Sequence, residues 1–284
     1  MTNHAIILIS CPDQRGITAT VTGFIYENNG NIVHADQHID NQSNIFFMRV
    51  EWELDGFKIP QEGIKQAFQP IADRFGMSWN LYFTAQKNNI AVFVSRPLHC
   101  LQDILLRYEQ DQYPCVIRMI ISNHEDARPL AQRAGISYHY LPITPQNKAE
   151  QESEQIRLLK EAGIDLVVLA RYHQILSRAF INVFPQRIIN IHHSFLPAFQ
   201  GHNPYDQAFR QGVKIIGATS HFVVEELDAG PIIEQDTVRV SHRDTTADFK
   251  RKGRDLETAV LSRTLRWALE RKILCYESKT VIFD

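Results

Sequence analysis

"IAVFVS" at residues 90–95, "CVIRMIIS" at 115–122 and "IDLVVLA" at 164–170 decide the fold of most of this chain. Each run is short, apolar and rich in β-branched residues, as a strand buried on both faces must be. Helix-length amphipathic segments separate them. Strands alternating with helices predict a Rossmann-like, mostly parallel α/β sheet covered on both sides.

Upstream of the polar joint "QKNN" (86–89) the rhythm differs. "AIILIS" (5–10) predicts a strand, and "ITATVTGFIYENN" (17–29) a helix with Ile17, Val21, Phe24 and Ile25 on its apolar face. Gly30 stands where a C-terminal cap glycine belongs. "NIVHADQHID" (31–40) and "NIFFMRVEWEL" (44–54) predict two strands. A helix over about 61–75, closed by Gly76, and the strand "SWNLYFTA" (78–85) complete a βαββαβ order, the ferredoxin-like layout. Two domains are therefore expected, 1–86 and 87–284, the second ending in a helix over about 247–270 and a last strand at "TVIFD" (280–284).

Composition narrows the function classes. The 284 residues carry a formal net charge of −2 and no basic block, so neither nucleic acid nor an anionic membrane is an expected partner. Cys11, Cys100, Cys115 and Cys275 are scattered without a CxxC pair, which suits reduced thiols in the cytoplasm. No segment approaches the ~20 apolar residues of a membrane helix, and no signal peptide is legible.

Three stretches leave predicted strands with polar groups, where open α/β sheets gather ligands. They are "LVVLARYHQILS" (166–177), "RIINIHHSFLPAFQG" (187–201) and "TSHFVVEELDAGPII" (219–233). Period-two alternation puts Asn190 and His192 on one face and His193 on the other. An Asn amide and a His suit a developing oxyanion, and Asp228 in the "DAGP" bend can orient the imidazole or act as base. The bland readings stand beside these: a satisfied strand-end His, and an Asx-turn Asp. A metal site among His192, His193, His202, His221 and His242 is the competing reading. It has no HExxH helix or cysteine pair behind it, so no metal is expected.

"NIHHSFLPAFQG" followed by "NPYDQAFRQGVKIIGATSHFVVEELDAGPIIEQ" resembles the folate-dependent formyltransferases. The Asn-x-His, Ser-x-Leu-Pro and Leu-Asp-x-Gly-Pro-Ile-Ile elements occur in order. The resemblance implies Asn190, His192 and Asp228 as catalytic residues. It implies a folate-binding loop at Arg171, Tyr172, His173, Gln174 and Ile175, and a second loop of Glu225, Glu226, Leu227, Ala229 and Gly230 closing over the pterin. His173 stands where many relatives have Met. Members that formylate a ribonucleotide carry a glycine-rich phosphate loop after their first strand. Here "IAVFVSRPLHCLQDIL" (90–105) has Arg96 and Pro97 instead, and Pro97 removes a donor.

The segment 11–40 resembles an ACT domain, a small-molecule-sensing module. An ACT domain ahead of a formyltransferase-like domain resembles the arrangement of the formyltetrahydrofolate deformylases, as does "IISNHEDARPLAQRAGISYHYLPIT" (120–144). That resemblance implies hydrolysis of 10-formyltetrahydrofolate to tetrahydrofolate and formate. The formate would supply purine biosynthesis and the reaction would balance folate pools, with no separate cofactor. The alternative is formyl transfer to an unidentified amine. It also implies a homo-oligomer and an effector site at Asp13, Arg15, Gly16, Ile17, Asn28 and Asn31, with glycine or methionine as the amino acid bound.

Overall fold

The computed structural model describes residues 3–198 and 204–284, and its backbone contacts divide the chain into two units. One comprises Met1–Lys87 with Arg271–Leu274 and Val281–Asp284; the other comprises Asn88–Glu270 with Cys275–Thr280. His202, weighed above as a metal ligand, lies outside the described residues.

In the first unit the chain runs through β1 (His4–Pro12), α1 (Ile17–Glu27), β2 (Ile32–Asp40), β3 (Ile45–Glu53), α2 (Gln61–Phe75) and β4 (Ser78–Phe83). This is the ferredoxin-like order read from the sequence. The antiparallel sheet is ordered β2-β3-β1-β4. Alternate residues Ala5, Ile7, Ile9 and Cys11 of β1 enter one core, as a strand's period of two requires. Ile17, Val21 and Ile25 of α1 and Ile64, Phe68, Ala72 and Phe75 of α2 cover that face at helical spacing.

The α1 cap differs from the expectation. Asn29, with φ 62°, takes the left-handed position, and Gly30 follows it. The Gly30 N–H donates to the Ile25 carbonyl at 2.8 Å and the Asn29 N–H to that of Tyr26 at 2.9 Å, a Schellman closure. Gly30 is needed for closeness instead: a Cβ there would fall 2.5 Å from the Ile25 methyl. Gly76, with φ 61°, closes α2 as expected.

In the second unit β5 (Asn88–Val94), α3 (His99–Glu109), β6 (Cys115–Ser122), α4 (Arg128–Arg133), β7 (Ser137–Tyr140), α5 (Lys148–Glu161) and β8 (Leu166–Ala170) alternate as predicted. There follow α6 (Arg178–Val183), β9 (Ile188–His192), α7 (Pro204–Gln211), β10 (Ile215–Phe222), β11 (Ile232–Arg239) and α8 (Thr246–Leu269). A short β12 (Ile273–Tyr276) and β13 (Lys279–Ile282) pair at the C-terminal end of the chain.

The seven-stranded sheet has the order β11-β10-β9-β8-β5-β6-β7. Pairings from β9 through β7 are parallel, while β10 runs antiparallel to both β9 and β11. The chain winds outward from β5 to β7 and returns to β8 on the other side of β5. The winding direction therefore switches between β5 and β8, the place where such sheets leave a crevice. α8 starts with a Thr245–Asp248 capping box and buries Val260, Leu261 and Leu265.

Candidate active site

Three strand ends converge on the site. β8 stops at Ala170, and Arg171 turns the chain with φ 65°. The Arg171 carbonyl accepts from the Ser95 N–H at 3.0 Å, tying this loop to the end of β5 at the switch point. β9 carries Asn190 and His192, and antiparallel β10 places His221 opposite Asn190 and Thr219 opposite His192. Beyond β10 the chain doubles back through Asp228, with φ 56°, until the Phe222 N–H reaches the Pro231 carbonyl at 2.9 Å. Gly230 makes that return feasible: a Cβ there would sit 1.7 Å from the Phe222 carbonyl oxygen.

His192 Nδ1 lies 3.3 Å from Asp228 Oδ2, and both side chains are more than nine-tenths buried. Burial acts to raise the Asp228 carboxyl, but the hydrogen bond from His192 and the neighbouring histidine rings hold it below the usual carboxylate range. Asp228 is thus ionised and accepts a hydrogen bond from His192 Nδ1–H. His192 Nε2 is buried with no hydrogen-bond partner among the described residues. A buried imidazole nitrogen left open faces something the protein does not supply.

Asn190 Nδ2 lies 3.1 Å from His221 Nε2. His221 Nδ1 is 2.9 Å from the Phe222 carbonyl, which can only accept, so Nδ1 carries the proton. Burial pushes the His221 pKa down, so the ring is neutral and its Nε2 accepts from the Asn190 amide. The amide is thereby fixed with its second N–H uncommitted to His221. His221 escaped the sequence reading except as a candidate metal ligand. Only the β9–β10 register reveals its partner.

These groups line a cavity of about 350 Å³ with Arg171, Tyr172, His173, Gln174, Ile175, Glu225 and Leu227. Glu226, Ala229 and Gly230, expected in the second loop, are not part of the lining; Glu226 and Ala229 close a backbone turn at 3.3 Å. The Tyr172 side chain turns to the core, edge-on to Phe93, and its hydroxyl accepts from Gln155 at 3.0 Å. His173 Nε2 donates to the Arg96 carbonyl at 2.8 Å. Leu169, Leu176, Ile181 and Val223 add an apolar wall.

His193 departs from the expected alternation. β9 ends at His192, so His193 lies outside the strand, and its ring sits 5.2 Å from that of His192 and lines the same cavity. Burial, then the Arg171 charge, lower its pKa to about 3. The Ser-x-Leu-Pro turn is pinned from β10: Thr219 Oγ1 donates to the Ser194 carbonyl at 2.8 Å and accepts from the Leu196 N–H at 3.0 Å.

The Arg96 guanidinium is engaged by Asp126, at 2.8 Å through Nε and 2.5 Å through Nη2. Of the expected effector residues, Ile17 is buried in the first unit's core. Asn28 Nδ2 donates to the Phe24 carbonyl and Asn31 Nδ2 to Glu53, both at 2.8 Å. Gly16 precedes α1 with φ 93°; Arg15 shares its exposed turn, while Asp13 is half-buried just ahead of it. His99, Cys100 and Glu257 bring donor atoms within 4.8 Å of one another. None of the histidines weighed as ligands belongs to that group. Its His99 and Glu257 already share a 2.9 Å hydrogen bond, and burial keeps the Cys100 thiol protonated.

A family model described as formyl transferase matches residues 88–265, and one described as ACT domain matches residues 5–72. The chain therefore belongs to the formyl transferase family and carries an ACT domain ahead of that fold. It is 52% identical to the formyltetrahydrofolate deformylase of Synechocystis sp., over 98% of each chain. It is 43% identical to that of Bacillus subtilis, over 98% of this chain and 93% of that one. A crystal structure of a formyltetrahydrofolate deformylase from Pseudomonas syringae pv. tomato superposes with a TM-score of 0.98 at 46% identity, covering 100% of this chain and 95% of that one. A glycinamide ribonucleotide transformylase 1 from Symbiobacterium toebii matches 72% of this chain and 98% of its own length, at TM-score 0.66 and 33% identity. Within the wider family, this chain belongs to the formyltetrahydrofolate deformylases.

Proposed function

We propose that the chain hydrolyses 10-formyltetrahydrofolate to tetrahydrofolate and formate, with the pterin in the 350 Å³ cavity between the Arg171–Ile175 and Glu225–Leu227 loops. The observation that carries the mechanism is the buried His192–Asp228 pair with His192 Nε2 left open. Asp228 Oδ2 accepts a hydrogen bond from His192 Nδ1–H, which stays on the ring, and Oδ1 holds the attacking water. As the water oxygen bonds to the formyl carbon, Asp228 accepts its proton. The oxyanion is met by the second N–H of Asn190, with the open Nε2 of His192 beside it. Collapse breaks the C–N bond, the proton on Asp228 passes to the folate nitrogen, and formate leaves with its remaining proton lost to solvent.

Folate acts here as substrate, and the proposed mechanism uses no separate cofactor. The Arg96–Asp126 pair supports water over a phosphate-bearing amine acceptor, since it occupies the guanidinium beside Pro97. Among the described residues no helix is long and apolar enough to cross a membrane, which agrees with a cytoplasmic setting. There the formate would feed purine biosynthesis, in a homo-oligomer whose ACT unit binds glycine or methionine near the Gly16 turn. The test is to incubate the purified chain with 10-formyltetrahydrofolate and no amine. Equimolar tetrahydrofolate and formate are expected; binding without release would overturn the hydrolase reading.

A further inference from the structure

A second, smaller cavity of about 110 Å³ shares Arg171 and His193 with the folate cavity. Its wall also includes Tyr205, Lys250, Arg254 and Glu257. We propose that this chamber is a carboxylate subsite that receives formate from the reaction centre. The identity of the ion rests on the hydrolase reading; the anion chemistry does not.

Charge supports it. Three cations, Arg171, Lys250 and Arg254, face two anions, Asp206 and Glu257, so the lining keeps one positive charge in excess. The anions are already committed. Lys250 Nζ pairs with Asp206 at 3.1 Å. Glu257, only 1% exposed, accepts from His99 at 2.9 Å and from the Tyr205 hydroxyl at 2.6 Å, and Arg171 Nε lies 3.4 Å away as an ion pair without a hydrogen bond. Arg171 is itself nine-tenths buried, and its Nη1 has no hydrogen-bond partner among the described residues. A buried guanidinium N–H without an acceptor costs free energy until an acceptor arrives. A planar carboxylate is the acceptor that suits it best.

Size selects the ligand. The chamber exceeds the ~10–15 Å³ that one water needs, so it admits an ion of a few heavy atoms but not a pterin. His193 and Arg171 stand at both cavities, so an ion formed beside His192 has a cationic neighbour to pass to while tetrahydrofolate still occupies the pterin site. Removing formate in this way lowers its local concentration at the folate nitrogen and opposes the reverse reaction.

The experiment titrates the purified full-length chain with ¹³C-formate, following its NMR line width, in the parent, Arg254→Met and Arg254→Lys proteins. Saturable binding is expected in the parent, about tenfold weaker in Arg254→Met and largely restored in Arg254→Lys, as loss of one charge-assisted contact implies. Tetrahydrofolate affinity, read by protein fluorescence, stays unchanged in all three. Inorganic phosphate is the competing probe: if it saturates the site and formate does not, the formate assignment falls. Formate binding that is absent in the parent, or equal in Arg254→Met, overturns the chamber while leaving hydrolysis standing. Saturable formate binding in a chain that releases no formate from 10-formyltetrahydrofolate would sink the hydrolase reading alone.

Discussion

Asn190 and His221 face each other across the β9–β10 pair, the amide Nδ2 3.1 Å from the imidazole Nε2. The Phe222 carbonyl fixes the His221 proton on Nδ1, and so His221 fixes which way the Asn190 amide points. A neutral strand residue thereby holds the proposed oxyanion donor in place without touching the reacting atoms. The same ring lies 3.7 Å from Asp228 Oδ1, too far for a hydrogen bond but near enough to sense its charge.

His221→Phe should keep the fold and the folate affinity but lower kcat by ~10²-fold, the scale of a misplaced catalytic group. Steady-state kinetics check this. A change in KM with kcat intact would show that His221 shapes the pterin site instead.

Stability should fall as pH drops below the ordinary histidine range, and His193 should supply part of that slope. Its folded pKa, about 3, lies below the ordinary histidine value of 6.5. Between those values the unfolded chain binds a proton that the folded chain does not, so the sign is destabilising toward acid. One such group contributes about 1.4 kcal/mol per pH unit. Urea unfolding of the parent and His193→Gln at pH 7, 6 and 5 should show a shallower slope in the variant.

Gly230→Ala should destabilise the return of the Asp228 loop by about 1–3 kcal/mol, because its Cβ meets backbone that cannot step aside. Urea midpoints measure the loss. Activity should fall further than stability explains, since the Phe222 carbonyl that the Cβ strikes also holds His221.

Glu257→Gln leaves the Arg171 charge buried without its counter-ion. Removing one partner of a buried ion pair costs about 3–5 kcal/mol, and the urea midpoint should move accordingly. A midpoint equal to the parent's would mean that the 3.4 Å contact carries no such energy.

The parallel sheet was legible because β5, β6 and β8 read as nearly continuous apolar, β-branched runs, and Asn190 and His192 because strand alternation fixes their common face. Asp228 stood out through the bend it shares with Gly230 and Pro231. His193 was misplaced because alternation holds only within a strand, and β9 ends one residue earlier. His221 and Glu257 act through partners that only the fold brings near: Asn190 is 31 residues from His221 in sequence, and His99 is 158 from Glu257. At the α1 cap the glycine was visible, but Asn29 can also adopt the left-handed turn, and close packing against Ile25 decided which residue takes it.

The most direct measurement of the central claim is the turnover of Asp228→Asn beside its affinity for tetrahydrofolate. Without a carboxylate to take the water proton, kcat should drop by ~10²–10⁴, the range of general base catalysis, while folate binding and the unfolding midpoint hold. Turnover close to the parent's, with folate still bound, would contradict the assignment of Asp228 as the group that activates water.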